Sequence, residues 1–349
     1  MGSARQLLLA AVAAVGALTA ASAAQAAGEL YFYNWSNYYP PELLKKFEAE
    51  TGIKVTLDVY DSNETLLAKL QAGGASYDVV VPSDYMVDIM VKQGLLQEID
   101  AGKMANFKNV GSPHDKPWYD PERKYSAPYM WGTTGFSYDT AKVSAKVDDS
   151  WWSIFDPDGP FKGKLAMLND PVEVYKAAAM YLKVDFCTES SDDAGKIFKL
   201  LEAQKPAVAL YNSDGTIERM IAGEVVAHMQ WNGAAHRTKE GKSTVTYVYP
   251  KEGINFWNDN FAVPKGARNV ENARIFIDWM MKPETIAAVS NFTGYNNGIK
   301  GSPEFMDAKL RDDPAVNTPQ EDLGRLNPNK NCSAAAVELR DRVWTRLKS

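Results

Sequence analysis

The chain has 349 residues, of which 45% are hydrophobic and 23% charged, with a formal net charge of −6 and two cysteines. That apolar content is a globular amount of core, and the acidic balance argues against nucleic acid or an anionic membrane surface as partner while favouring a cationic one. Three histidines without metal-ligand spacing, and no phosphate loop, H-E-x-x-H or G-x-S-x-G motif, mean that no cofactor, metal or nucleophilic centre is expected.

At the N-terminus, Arg5 precedes an apolar run at 7–20 that is too short to span a bilayer, and Ala24-Gln25-Ala26 forms a small-x-small cleavage site. Residues 1–26 therefore read as a secretory signal. No cysteine follows the cleavage site to carry a lipid, and no later stretch is long and apolar enough for a transmembrane helix. The mature chain is expected in an oxidising compartment, most simply a bacterial periplasm. There Cys187 and Cys332 are expected to form a disulfide, two buried thiols being the alternative. About 320 residues follow the signal, more than one simple domain holds, so two lobes are expected.

The mature chain opens with a strand at 29–35, then Ser36-Asn37-Tyr38-Tyr39, then a helix started by Pro40 and Pro41 and stopped at Gly52. An alternating strand at 53–60, a helix at 64–71 ending at Gly73-Gly74, and an apolar strand at 77–81 follow, the last leading into Pro82-Ser83-Asp84-Tyr85. Strands alternating with helices predict a parallel sheet covered on both faces, and ligands of such sheets sit beyond the carboxyl ends of the strands. Trp35, Tyr38, Ser83 and Tyr85 all fall at such ends.

After a helix at 86–93, the stretch 125–138 reads as an extended crossing between lobes, with glycines at its bends. A second α/β pattern starts beyond it with the Trp151-Trp152 helix and a strand at 164–168. Asn169-Asp170-Pro171-Val172-Glu173 then opens a helix, and Asp170 with Glu173 three residues on is also what plain N-terminal capping looks like. Helices at 192–204 and 215–222 and strands at 207–211 and 225–231 complete the second pattern. Trp231-Asn232-Gly233 again sets a ring at a strand end.

An alternating strand at 244–249 returns the chain to Phe256-Trp257-Asn258-Asp259-Asn260, the second crossing. In an extended segment Trp257 and Asp259 share a face, an indole beside a carboxylate, which is what an organic ammonium ion wants. Taken alone, an edge strand with a core Trp and a turn-capping Asp describes this pattern better. The aromatic and acidic residues at the other strand ends shift the balance toward a ligand. Helices at 272–282 and 283–290, the loop Phe292-Thr293-Gly294-Tyr295 and a helical tail at 334–348 finish the chain. Two crossings between two α/β lobes describe a clamshell that closes about a hinge.

The succession Trp35-Ser36-Asn37-Tyr38, Pro82-Ser83-Asp84-Tyr85, Asp170-x-x-Glu173, Trp231-Asn232-Gly233, Phe256-Trp257-x-Asp259 and Gly294-Tyr295 resembles the periplasmic polyamine-binding proteins, the spermidine- and putrescine-capturing components of ABC importers, over essentially the whole mature chain. Phe47-Glu48-Ala49-Glu50-Thr51-Gly52-Ile53 and Tyr77-Asp78-Val79-Val80-Val81 are shared by many solute-binding proteins and support the fold only. The resemblance implies a two-lobed α/β solute-binding clamshell of mixed, mostly parallel sheets with two hinge crossings. With the crossings read above, the first lobe takes 27–138 plus 262–299 and the second 139–261 plus 300–349. It implies a monomer that captures a polyamine and passes it to a membrane permease.

By the same resemblance, Trp35, Tyr38, Tyr85 and Tyr295 of one lobe and Trp231 and Trp257 of the other box the ligand's methylene chain. Asp170, Glu173 and Asp259 take its ammonium groups, and Ser83 adds a polar contact. The arrangement suits several cations joined by apolar spacers: rings cover the spacers and attract the charges, while carboxylates at set separations measure length. One position departs from the pattern. Where the family commonly offers a neutral Gln near a terminal amine, this chain aligns Lys330, which would repel that amine. Lys330 is therefore expected to face solvent, the alternative being a ligand shorter or less charged at that end.

Two rival readings use the same residues. The same fold can serve an opine, a cationic amino-acid derivative or a quaternary amine, but three carboxylates exceed what one fixed positive charge needs. Asp170 and Glu173 could be the acid and base of a secreted glycoside hydrolase, but such pairs normally come from separate elements, and these lie one helical turn apart. No catalysis is expected.

Overall fold

The structure, a computed structural model, describes residues 28–73 and 77–349, so the expected signal at 1–26 and Gly74 lie outside the described residues. Strand β1 (Glu29–Trp35) buries Leu30 and Phe32, and it pairs in parallel with β2 (Lys54–Tyr60) through helix α1 (Pro41–Thr51). Pro41 begins α1 where a missing N–H costs nothing. The helix ends on Gly52 in the left-handed conformation, whose N–H returns to Glu48 O. Helix α2 (Asn63–Gln71), capped by Ser62, leads to β3 (Val79–Val80), parallel to β1, and to α3 (Asp84–Lys92).

Strand β4 (Ser126–Asp139) is the first crossing. Beyond it come α4 (Trp152–Phe155), β5 (Leu165–Met167), α5 (Pro171–Leu182), α6 (Ser191–Gln204), β6 (Val208–Tyr211), α7 (Thr216–Ala222), β7 (Ala227–Trp231), α8 (Asn232–Gly241) and β8 (Val245–Val248), with β5 parallel to both β6 and β7. Strand β9 (Ile254–Ala262) is the second crossing. It is followed by α9 (Val270–Met280), α10 (Pro283–Thr293), β10 (Asn296–Asn297), α11 (Ala308–Arg311), β11 (Leu326–Pro328) and α12 (Ala334–Lys348).

The strands lie in the order β2-β1-β3-β9-β4-β7-β5-β6, which puts the two crossings side by side in the middle. The outer ladders are parallel, as alternating strands and helices dictate. The crossings traverse the molecule in opposite directions, so β4 pairs antiparallel with β9, β7 and β8, and β9 antiparallel with β3. Antiparallel pairing is therefore more prominent than the helix and strand alternation suggests. One hydrophobic core gathers Leu30, Phe32, Phe47, Val79, Phe261 and Phe276, and another gathers Phe136, Trp151, Phe155, Tyr175, Met229 and Leu347. This is the two-lobed clamshell. The stretch around α11 lies against both sides: Met306, Leu310 and Val316 cluster with Ala287 of α10, while Asp313 meets His236 of α8 at 2.6 Å.

Cys187 and Cys332 are bridged, tying the loop after α5 to the segment before α12. Among the described residues no helix is long and apolar enough to cross a membrane.

Candidate functional site

A cavity of about 990 Å³, counting the space at its open mouth, lies beyond the carboxyl ends of β1, β2, β3, β5, β6 and β7 and against β9. Trp35, Tyr38, Ser83, Tyr85, Asp170, Glu173, Trp231, Trp257, Asp259 and Tyr295 all line it. The strand-end rule explains the convergence of Trp35, Tyr38, Ser83, Tyr85, Asp170, Glu173 and Trp231, because residues far apart in sequence meet where parallel strands stop, while Trp257 and Asp259 come from the crossing β9 and Tyr295 from the end of α10.

On β9 the two-residue period sets the buried Trp257 and Asp259 toward the cavity, and the half-buried Phe256 and Asn258 to the other face, where Phe256 meets Trp131. The Trp257 indole stands edge-on to Tyr295 at 5.2 Å, and Tyr295 stands edge-on to Tyr38 at 5.6 Å. These contacts rely on two glycines. A Cβ on Gly132 of β4 would sit 2.6 Å from Trp257 Cζ2, and one on Gly233 would sit 2.5 Å from Tyr295 Cε1, so any larger residue displaces a ring of the wall. Trp35 is held by its indole N–H, which donates to Val81 O at 2.9 Å, and by Tyr60 at 4.8 Å.

The carboxylates differ in what surrounds them. Asp259 accepts from Ser83 Oγ at 2.6 Å and from Tyr38 OH at 2.8 Å, while Asn63 Nδ2 donates to Ser83 Oγ at 3.0 Å and orders that hydroxyl. Burial pushes the Asp259 carboxyl up to about 7 despite these two hydrogen bonds. Asp170 does cap α5: its Oδ1 accepts from the N–H groups of Val172 and Glu173 at 2.9 and 3.0 Å. Glu173 does not return the capping bond. Its Oε2 accepts from Asn255 Nδ2 at 2.5 Å, across to β9. Burial, and then the neighbouring Glu173, push the Asp170 carboxyl up to about 7, and burial raises Glu173 as well. Such shifts mark groups deprived of water and not fully compensated by positive charge.

Asp61, Asn63, Arg237, Asn329 and the loop Ser213-Asp214-Gly215-Thr216 also line the cavity and were not singled out by the sequence. The strand-end rule would have found the loop, since it follows β6 directly. Counting all lining residues, six carboxylates face one guanidinium, that of Arg237, which packs over Phe292 at 5.3 Å. Lys330 lies outside the lining. Its side chain is 55% exposed, with Nζ 3.5 Å from Asp185. The residue before it, Asn329, takes the place at the cavity wall. Among the described residues no group of acidic, His or Cys side chains could hold a metal ion.

A family model of bacterial extracellular solute-binding proteins matches residues 42–318. The chain is 35% identical over 336 residues to a "Putrescine-binding periplasmic protein SpuD" of Pseudomonas aeruginosa (strain UCBPP-PA14), covering 92% of each chain. It is 34% identical over 321 residues to the "Spermidine/putrescine-binding periplasmic protein" of Escherichia coli (strain K12), covering 92% of this chain and 91% of that one. Among solved structures, a "Putative spermidine/putrescine ABC transporter from Listeria monocytogenes" superposes with a TM-score of 0.87 at 30% identity, covering 92% of this chain and 99% of that one.

Proposed function

The chain belongs to the bacterial extracellular solute-binding proteins, among the periplasmic polyamine-binding proteins of ABC importers, and we propose that it captures a putrescine- or spermidine-type polyamine in this cavity and hands it to a membrane permease. It works in the periplasm, as a monomer without catalytic turnover. The lobes are read as 27–138 with 262–299 and 139–261 with 300–349; two separate hydrophobic cores agree with two lobes, while Trp257, Phe261 and Phe136 on the crossings and Met306, Leu310 and Val316 near α11 pack across these bounds.

In this reading Trp35, Tyr38, Tyr85, Trp231, Trp257 and Tyr295 enclose the methylene chain, and Asp259, Asp170 and Glu173 receive ammonium groups, with Ser83 steadying Asp259. The observation that carries it is Asp259. It is 6% exposed, accepts side-chain hydrogen bonds among the described residues only from neutral hydroxyls, and shares the face of β9 with a cavity-lining Trp. A buried carboxylate in that setting gains most from a cation, and a ring beside it strengthens the attraction where water is excluded. A hydrolase reading has less support, since Asp170 is engaged as a helix cap and Glu173 by Asn255.

Calorimetry against putrescine, spermidine, spermine, choline and a neutral sugar tests the proposal. Binding of the polyamines alone is expected. Tighter binding of choline, or steady turnover of any of these compounds, would overturn it.

A further inference from the structure

We propose that Lys176 is a resident ammonium that sets specificity: it disfavours a ligand ammonium at the Asn329 end of the cavity, so that the site prefers a diamine to a triamine. The inference rests on the polyamine reading above and concerns which member of that class fits.

Lys176 lies one turn after Glu173 on α5 and is 1% exposed. Its Nζ donates to Asn327 O at 2.6 Å and to Asn329 Oδ1 at 2.9 Å. An ammonium group has only donors, so it fixes the Asn329 amide with its oxygen toward Lys176. The amide nitrogen then donates to Asp84 Oδ1 at 2.8 Å. Asn329 belongs to the cavity wall, whereas Lys176 and Asp84 stand behind it. The acceptor of Asn329 is therefore already engaged by an internal ammonium. A ligand ammonium arriving there meets an amide oxygen that already accepts from an ammonium, with that like charge directly behind it, in a setting where burial strengthens the repulsion.

The charged neighbours agree with this division. Burial raises the Glu173 and Asp84 carboxyls, and their hydrogen bonds and then the charge of Lys176 offset part of that rise. Arg340, itself buried, acts in the same sense on Asp170 and Glu64. Asp259 has no cation of its own among the described residues, so its end of the cavity remains the strongest anchor for an ammonium group. Burial lowers Lys176 to about 8, which leaves it charged at neutral pH.

The test is calorimetric affinity for putrescine and for spermidine on the wild-type chain and on two variants, Lys176→Gln, which keeps a donor for Asn329 without the charge, and Lys176→Met, which removes both. Wild type is expected to bind putrescine at least about tenfold more tightly than spermidine, and both variants to raise spermidine affinity relative to putrescine by about tenfold. A purely structural role would lower both affinities together and leave their ratio unchanged, which overturns the proposal. So does a wild type that prefers spermidine, a result that stands even if neither variant folds. If wild type binds no amine at all, the polyamine reading itself falls.

Discussion

Asp259 and Glu173 face the same cavity from opposite kinds of support, and they are not equivalent. Asp259 stands in the middle of a crossing strand and is held only by the hydroxyls of Ser83 and Tyr38. Glu173 stands in the first turn of α5, bonded to Asn255 and one turn from the buried ammonium of Lys176. Neutral hydroxyls orient a carboxylate without cancelling its charge, whereas a nearby ammonium cancels part of it. The Asp259 end is thus free to take up a cation, and the Glu173 end is already partly occupied by one. Position at the cavity wall alone would give both carboxylates the same role.

The largest effect is expected where compensation is least. Asp259→Asn keeps shape and an acceptor but loses the charge, so polyamine affinity should fall by about 2 to 4 kcal/mol. Melting temperature without ligand should hold or rise, because the variant no longer buries an uncompensated carboxylate. Calorimetry paired with thermal melting checks both halves. Retained affinity would mean that the ligand's charge is met elsewhere.

Next comes the ring beside Asp259. Trp257→Ala should weaken binding by roughly 2 kcal/mol or more, since it removes a cation-π face and apolar cover together. Trp151 is the control: it is fully buried in the other core with its indole N–H on Gly253 O at 2.9 Å. Its replacement by Ala should lower the melting temperature and leave the affinity of the folded protein unchanged. Equal losses of affinity would erase the distinction between wall and core.

Acidity probes both ends at once. Asp259 and Asp170 hold their protons to about 7 in the folded chain, against about 3.9 when unfolded. Between those values the folded state carries protons that the unfolded state has lost. The contribution of these groups to stability is therefore greatest below about 4 and declines as pH rises toward 7. A bound cation favours the ionised form, so affinity should instead rise with pH, by about fivefold per carboxylate between pH 6 and 7. Calorimetry in buffers of different ionisation enthalpy should register proton release on binding near pH 6.5. An affinity flat from pH 6 to 8 would separate these carboxylates from the ligand's charge.

Much of this site was legible because it sits where the sequence is most informative. Trp35, Ser83, Trp231 and their neighbours follow strand ends, and the alternation at Trp257 and Asp259 needs only an extended chain. The roles of Asn329 and Lys330 were harder. The segment pairs with β9 in the register Asn327↔Asn255, a long-range relation no local pattern carries. Neighbouring residues of an extended segment point to opposite sides, so a slip of one position exchanges cavity for solvent. Lys176 did leave a signal, a lone charge inside the apolar run Val174-Tyr175-Lys176-Ala177-Ala178-Ala179. A helix buried nearly all round must give such a charge partners. The disulfide, though anticipated, could not disclose that it anchors this same segment three residues beyond Asn329.

The smallest expected effect is the one that most sharpens the contrast between the two carboxylates. If Lys176 already offsets Glu173, then Glu173→Gln should cost putrescine about 1 kcal/mol or less, well below the loss at Asp259. The substituted amide can still accept from Asn255 through its oxygen, so the strand-to-helix contact survives. What changes is the balance around Lys176, whose charge is then no longer matched at that end and opposes any ammonium more strongly. Spermidine, which extends further along the cavity, should lose more than putrescine. The four affinities from Asp259→Asn and Glu173→Gln, each against the two amines, therefore form a cycle with a definite sign: a large loss for both amines at Asp259, and a small loss weighted toward spermidine at Glu173. Equal and large losses at both positions would show the ends to be alike and would return Lys176 to a structural role. A Glu173→Gln variant unchanged for spermidine as well would remove that carboxylate from contact with the ligand and leave Asp259 and Asp170 as the charges that hold it.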